Sequence, residues 1–138
     1  MTILVADDDP VLTRVLSTRL KKSGYQVVVV YDAMQAIKTA LRILPAAILL
    51  DVNMPGGTGT QVLRQLKNSL KTNQIPIIVI TASADPGTAK TVVDLGADRL
   101  MTKPPDFDRL ECTLRELLGS PADSSAREAI QAAPPSGA

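Results

Sequence analysis

The chain has 138 residues, of which 45% are hydrophobic and 21% are charged, and its formal net charge is +1. This length allows one domain with a substantial core, and so small a net charge predicts neither nucleic-acid nor membrane binding. The single cysteine, Cys112, excludes a disulfide framework, and the lack of histidine excludes the commonest general base. No apolar run reaches transmembrane length, so we expect a cytoplasmic protein.

The predicted elements alternate between strand and helix from the first residues onward. An apolar run at 3–6 predicts a buried strand, and apolar residues then recur at helical spacing over 12–20. The β-branched run 27–30 predicts a second strand. A second helical stripe covers 37–44 and ends at Pro45, because proline cannot continue a helix.

The same rhythm continues through the second half of the chain. A third strand at 46–50 leads into a glycine-rich loop at 55–59, and a helical stripe follows over 62–70. The apolar run 77–80, opened by Pro76, predicts the fourth strand.

Two further helical stripes enclose a short fifth strand. Apolar residues at helical spacing over 89–93 precede a strand at 100–101, and a last helix over 110–118 ends at Gly119. Residues 120–138 are rich in Ser, Ala, Pro and Gly, so we expect a disordered tail or linker after a domain at 1–119.

Alternating strands and helices of this kind predict an α/β fold, a doubly wound parallel sheet of five strands with helices on both faces. In open sheets of this type, ligands bind beyond the carboxyl ends of the strands. The polar residues that follow these strand ends should therefore gather at one edge of the sheet. They are Asp7, Asp8, Asp51, Thr81 and Lys103.

This set of side chains suits a hard cation and a phosphoryl group. Asp8 and Asp51 offer the anionic oxygens that Mg²⁺ prefers, Asp7 can act through a metal-bound water, and a backbone carbonyl just after Asp51 can complete the protein ligands. A carboxylate can also attack phosphorus to form an aspartyl phosphate, and it needs no general base. Lys103 and Thr81 would then neutralise and hydrogen-bond the phosphoryl oxygens.

Four segments carry a resemblance to a known family, because they occur in the right order and at the right spacing. They are 3–9 with its three aspartates, 49–56 around Asp51, 80–82 around Thr81, and 96–98 followed by the Thr-Lys-Pro of 102–104. Over 1–119 the chain resembles a receiver domain of the response regulators of two-component signalling, of the chemotaxis-regulator type.

The resemblance implies a flavodoxin-like sheet of strand order 2-1-3-4-5 and a phosphoacceptor switch in place of an enzyme. A histidine kinase or histidine phosphotransfer protein would donate the phosphoryl group, and the downstream target stays open. At most, the domain would promote its own phosphorylation and dephosphorylation. The resemblance implies that Asp51 is the phosphoacceptor and that Thr81 and Lys103 contact the phosphoryl group. It also implies that Mg²⁺ is bound by Asp8, Asp51 and the main-chain carbonyl of Asn53, with Asp7 linked through water.

Two positions depart from the family pattern, and both bear on how a signal would leave the domain. Leu100 stands where the family usually carries a switching Tyr or Phe, three residues before the lysine. Pro105 stands where a Phe often follows the proline, and Phe107 is a candidate to fill that space. The resemblance also implies a cis peptide bond before Pro104.

Other interpretations of these residues stay open at this point. Asp9 suits a helix N-cap, and 56–59 suits a plain turn better than a phosphate cradle. A haloacid-dehalogenase-like phosphatase needs a second aspartate where Asn53 stands, and an interaction module that is never phosphorylated would keep the same fold. Bases dominate the predicted helices between Pro10 and Ala84, which indicates either solvated faces or a docking surface for an acidic partner.

Overall fold

The computed structural model describes residues 1–54, 58–82 and 85–119. The predicted tail at 120–138 and most of the predicted glycine-rich loop lie outside the described residues. Within them, five strands and five helices alternate along the chain, as the apolar pattern predicts. No helix in this part of the chain combines the length and the hydropathy that a membrane span needs.

The five strands form one parallel sheet in the order β2-β1-β3-β4-β5, which confirms the predicted fold class. The central strands β1, β3 and β4 are almost entirely buried, whereas β2 and β5 form the edges. The strands are β1 (Thr2–Ala6), β2 (Gln26–Val30), β3 (Ala47–Leu50), β4 (Ile77–Thr81) and β5 (Arg99–Thr102).

Helices cover both faces of the sheet, and each face has its own apolar core. Helices α2, α3 and α4 pack with Leu4, Ile48 and Val79 on one face. Helices α1 and α5 pack with Val5, Leu49 and Ile80 on the other, because successive strand residues point to opposite faces. The helices are α1 (Pro10–Lys22), α2 (Ala33–Ile43), α3 (Gly59–Lys67), α4 (Pro86–Asp94) and α5 (Phe107–Leu118).

Every helix begins after a capping side chain at the carboxyl edge of the sheet. The cap oxygen accepts a hydrogen bond from a main-chain N–H of the first turn, which satisfies a donor that the helix leaves free. Thr58 and Gln61 of α3 form a reciprocal capping box. The capping residues are Asp9, Asp32, Thr58, Asp85 and Asp106.

Helix ends differ from the sequence prediction in three places. Leu44 adopts a left-handed conformation with φ of 48° and ends α2 one residue early, since the residue before a proline disfavours the helical region. Helix α3 ends at Lys67, so Leu70 lies outside it and is 92% exposed. The helix also begins at Gly59, where the glycine-rich sequence predicts a loop.

Asp98, at the end of the 96–98 segment, stabilises the amino-terminal end of β4, at the opposite end of the strands from Asp7 and Asp51. Its Oδ2 accepts hydrogen bonds from the main-chain N–H of Ile77 at 2.8 Å and from Nζ of Lys67 at 3.2 Å. Lys67 also donates to the carbonyl of Ile75 at 2.9 Å. These contacts tie the start of β4 to the end of α3, far from the edge that carries the candidate site.

Candidate functional site

Asp7 and Asp51 lie side by side just beyond β1 and β3, two neighbouring central strands of the sheet. The main-chain N–H of Asp51 donates to the carbonyl of Ala6 at 2.9 Å, and that of Asp7 donates to the carbonyl of Val30 at 3.2 Å. These bonds continue the sheet by one residue and fix both aspartates. The two residues are only 3% and 4% exposed, and aspartates are rarely buried to this extent unless they are paired.

Each buried carboxylate accepts a hydrogen bond from the backbone two residues on. Asp7 Oδ1 accepts from the N–H of Asp9 at 2.9 Å, and Asp51 Oδ1 accepts from the N–H of Asn53 at 3.0 Å. These short turns hold one oxygen of each group and leave the second oxygen directed to a common partner. A carboxylate oxygen has more than one acceptor position, so both groups keep capacity for a further ligand.

Lys103 is the common partner of the two carboxylates. Its Nζ lies 2.8 Å from Asp7 Oδ2 and 3.0 Å from Asp51 Oδ2. The main-chain N–H of Lys103 donates to the carbonyl of Thr81 at 2.8 Å, and this bond fixes the backbone of Lys103 directly after β5. Lys103, which follows β5, thus joins two residues that follow other strands, β1 and β3.

Burial and charge shift the pKa values of this group. Burial raises the pKa of Asp7 above its usual value, with the charge of Asp51 acting in the same direction, although the Lys103 ammonium and the Asp9 amide oppose the shift. Burial alone would lower the pKa of Lys103, but its hydrogen bonds to the two aspartates outweigh that effect and raise it. The site therefore holds a permanent cation beside a carboxylate that is costly to ionise.

Asp8 completes an acidic cluster that fits a divalent cation. One carboxylate oxygen from each of Asp7, Asp8 and Asp51 can lie within 4.8 Å of the others. Asp8 is exposed, whereas both oxygens of Asp7 already contact Lys103 or Asp9. This arrangement suits direct ligation by Asp8 and Asp51, with Asp7 acting through water, since Mg²⁺ retains several waters in proteins.

Thr81 is fully buried at the end of β4, directly opposite Thr102 in the parallel register with β5. Leu100, two residues earlier on β5, is half-buried and packs against the core beneath α2, α3 and α4. The structure thus places a hydroxyl at the site edge and an aliphatic side chain behind it. How these two residues respond to phosphorylation stays a prediction.

The loop after Lys103 contains the two prolines singled out in the sequence. The peptide bond between Lys103 and Pro104 is cis, as the resemblance implies. Pro105 is buried, and Phe107 is half-buried against the core of α1 and α5. The guanidinium carbon of Arg19 lies 4.9 Å from the ring centroid of Phe107, so this aromatic joins α5 to α1.

Gly59 lies beside the candidate site, although the sequence pattern does not predict it there. A Cβ built on it would lie 2.3 Å from Cα of Val52 and 2.5 Å from the carbonyl oxygen of Asp51. Its N–H donates to the carbonyl of Val52 at 2.9 Å. The start of α3 therefore packs directly on the backbone that carries Asp51. The capping box of Thr58 and Gln61 was the sequence signal that could have placed this helix start.

Comparison with known proteins agrees with this geometry. The family model described as the response regulator receiver domain matches residues 3–115. The chain is 39% identical over 115 residues to the response regulator PleD of Caulobacter vibrioides, covering 83% of this chain and 25% of that protein. It is 39% identical over 116 residues to a probable transcriptional regulator, ycf27, of Cyanophora paradoxa, covering 84% of this chain and 47% of that protein.

Solved structures show the same fold. The receiver domain of the sensor histidine kinase PA1611 from Pseudomonas aeruginosa, with a magnesium ion coordinated in its active site cleft, is 31% identical with a TM-score of 0.79, covering 86% of this chain and 98% of that one. A putative response regulator from Chloroflexus aurantiacus is 26% identical with a TM-score of 0.80, covering 85% and 96%. The family match, the sheet order and the acidic cluster agree, and the chain belongs to the response-regulator receiver domains of two-component signalling.

Proposed function

We propose that Asp51 is the phosphoacceptor of this receiver domain and that its phosphorylation requires Mg²⁺. The observation that carries this assignment is the position of the Asp51 carboxylate. It is 4% exposed, lies 3.0 Å from the Lys103 ammonium and shares a cluster with Asp7 and Asp8. A buried carboxylate beside both a cation and a candidate metal site suits attack on an anionic phosphoryl group.

The chemistry needs a nucleophile and charge compensation, and this chain supplies both. A carboxylate oxygen of Asp51 forms a bond to phosphorus while the bond from phosphorus to the donor's leaving group breaks, and the leaving group departs with that electron pair. Lys103 would contact the incoming phosphoryl oxygens, and Thr81 would donate a hydrogen bond to them from the end of β4. Later attack by water on phosphorus would release phosphate and restore the carboxylate.

Mg²⁺ is the cofactor that this arrangement fits. Asp8, Asp51 and the main-chain carbonyl of Asn53 would hold it directly, with Asp7 linked through water. Bound Mg²⁺ would neutralise charge on the phosphoryl oxygens that Lys103 does not reach. The magnesium in the active site cleft of the PA1611 receiver domain supports this assignment.

The phosphoryl donor would be a histidine kinase or a histidine phosphotransfer protein, and the domain would act as a signalling switch, not as a metabolic enzyme. The chain spans a quarter to about half the length of the curated relatives that it matches first. Their further segments and outputs are therefore not carried over to this chain. We expect no direct nucleic-acid contact from a chain of net charge +1, and cytoplasmic localisation stays a prediction.

Two other functions are less well supported. A haloacid-dehalogenase-like phosphatase needs a second aspartate two residues after the nucleophile, where this chain has Asn53. An interaction module without phosphorylation would not need a lysine bridging two buried carboxylates, because such groups are costly to bury.

The proposal is tested by incubating the chain with acetyl phosphate, a small acyl phosphate, with and without Mg²⁺. Intact-mass spectrometry should show one added phosphate, which requires Mg²⁺ and is absent from Asp51→Asn. Undiminished labelling of Asp51→Asn would refute the assignment of the phosphoacceptor, and labelling of the wild type in chelator would refute the metal requirement.

A further inference from the structure

Among the described residues, β2 is an edge strand, and no other strand pairs with its outer side. The N–H of Gln26 donates to the carbonyl of Met1 at 2.9 Å, and the carbonyl of Val30 accepts from Asp7 at 3.2 Å, so both residues point toward β1. Alternate residues of a strand point to opposite sides. The N–H and C=O groups of Val27 and Val29 therefore face the open edge.

In the part of the chain that the structure describes, this edge lacks the features that usually block strand addition. Natural edge strands carry a lysine, a proline or a bulge, or are covered by another element. Strand β2 has the sequence QVVVV, without a charged residue or a proline, and pairs with β1 in unbroken register from Gln26 to Val30. Tyr31, the residue directly after β2, is 47% exposed. The edge is therefore a ready template for an extended segment.

A groove runs beside this edge, between α1 and β2, and its charged side chains are basic. The groove has a volume of about 680 Å³ and includes Val29 and Tyr31 on the strand side. Arg14 and Lys21 line it on the helix side, and no acidic residue lines it among the described residues. The nearby Asp32 carboxylate is used as the cap of α2, where it accepts from the N–H of Gln35 at 2.8 Å.

We propose that an extended, acidic segment of a partner protein adds to β2 as a sixth strand. Its main chain would pair with the outward groups of Val27 and Val29, and its carboxylates would face Arg14 and Lys21. A second copy of this chain fits less well, because two β2 strands paired across a twofold axis would bring the basic residues of both α1 helices together. The groove faces β2, on the opposite side of α1 from α5, and the proposal does not depend on phosphorylation of Asp51.

The proposal is tested by NMR on the ¹⁵N-labelled, unphosphorylated chain with a short capped peptide that alternates glutamate and valine. A peptide alternating lysine and valine is the charge control, and a glutamate–valine peptide N-methylated on its pairing edge is the main-chain control. The acidic peptide should shift the amides of Val27, Val29 and Tyr31, whereas neither control should bind. No shift with the acidic peptide, or equal binding of either control, would overturn the proposal.

Charge reversal on α1 provides a matched pair of variants. Lys21 lines the groove, whereas its neighbour Lys22 does not, and both are exposed. Lys21→Glu should weaken binding of the acidic peptide by about fivefold, the scale expected for a solvent-exposed charge contact. Lys22→Glu should have a clearly smaller effect. An equal loss in both variants would show attraction to the general charge of α1 and would contradict docking in the groove.

Discussion

The Nζ atom of Lys103 lies 3.0 Å from Oδ2 of Asp51, although 52 positions separate the two residues in the chain. The same ammonium lies 2.8 Å from Asp7, so one cation compensates two buried carboxylates. Without it, two like charges would share a site of low polarity, and each would resist ionisation. Lys103 thus has a structural role before phosphorylation as well as the proposed role at the phosphoryl group.

Replacing Lys103 by alanine should separate these two roles. Lys103→Ala should lower the free energy of unfolding at neutral pH by about 2 kcal/mol, because two buried carboxylates lose their cation. It should keep or strengthen Mg²⁺ binding, since the metal then meets less competing positive charge. Its response to the phosphate mimic beryllofluoride should be largely lost, because only contacts that differ between two states shift their populations. Denaturation and NMR titration measure these effects.

A matched control for that variant is Lys71→Ala, which removes an exposed lysine far from the described site contacts. It should leave stability, Mg²⁺ binding and the response to the mimic unchanged. A wild-type response of Lys103→Ala to beryllofluoride would refute the role of this lysine at the phosphoryl group.

The ionised, buried carboxylate of Asp7 should lower the free energy of unfolding at neutral pH. Because burial raises the pKa of Asp7 in the folded state, the native chain binds that proton more tightly than the unfolded chain does. Stability is therefore lost as pH rises from the unfolded value, 3.8, through the raised pKa. Asp7→Asn removes this cost, so its melting temperature should exceed that of the wild type at pH 7, and the gain should disappear below the unfolded pKa.

Mg²⁺ should reverse the order of the melting temperatures, so that the wild type becomes more stable than Asp7→Asn. A ligand that binds the native state stabilises it by an amount that rises with the logarithm of its affinity, and Asp7→Asn should bind Mg²⁺ more weakly. Asp8→Asn is the control, because Asp8 is exposed and its change should weaken Mg²⁺ binding without raising stability in the absence of metal. A melting temperature of Asp7→Asn below that of the wild type at pH 7 without metal would contradict the proposed burial cost.

Adding one methyl group at Gly59 should distort the loop that carries Asp51. The new Cβ would lie 2.3 Å from Cα of Val52, and a backbone neighbour cannot move aside cheaply. We expect Gly59→Ala to lower the free energy of unfolding by about 3 kcal/mol and to slow phosphorylation by acetyl phosphate. Gly87→Ala is the matched control in the first turn of α4, where the Cβ would lie 3.3 Å from Asp85 Oδ1, the one close contact among the described residues. Equal stability of the two variants, measured by urea denaturation, would refute this close packing.

Leu100 should transmit the signal without an aromatic side chain. It is half-buried against the core, whereas Thr81 is fully buried at the site edge, so a shift of Thr81 would open space that Leu100 can fill by changing rotamer. Beryllofluoride should then cause large amide shifts across 90–110. Shifts confined to 7–9 and the residues around Asp51 would show instead that α4, β5 and α5 carry no output.

The strand ends and their polar residues could be predicted from the sequence, because the alternation of apolar runs is a local signal. The parallel order of the strands then brings Asp7, Asp51 and Lys103 into contact, as observed. The close approach of Gly59 to Val52 could not be predicted in this way, because it depends on how α3 packs on another segment. The end of α3 at Lys67 was also missed, since Leu70 continued the apolar spacing without being buried.

The most direct test of the central claim identifies the phosphorylated residue chemically. Borohydride reduces an aspartyl phosphate to homoserine. Trypsin then separates the candidate aspartates into two peptides. Residues 43–64 form one peptide whose only aspartate is Asp51, whereas Asp7, Asp8 and Asp9 lie in the peptide 1–14. After treatment with acetyl phosphate and Mg²⁺, homoserine should appear in the 43–64 peptide at position 51 alone. Homoserine in the 1–14 peptide, or in neither peptide while intact phosphate is detected, would contradict the assignment of Asp51 as the phosphoacceptor.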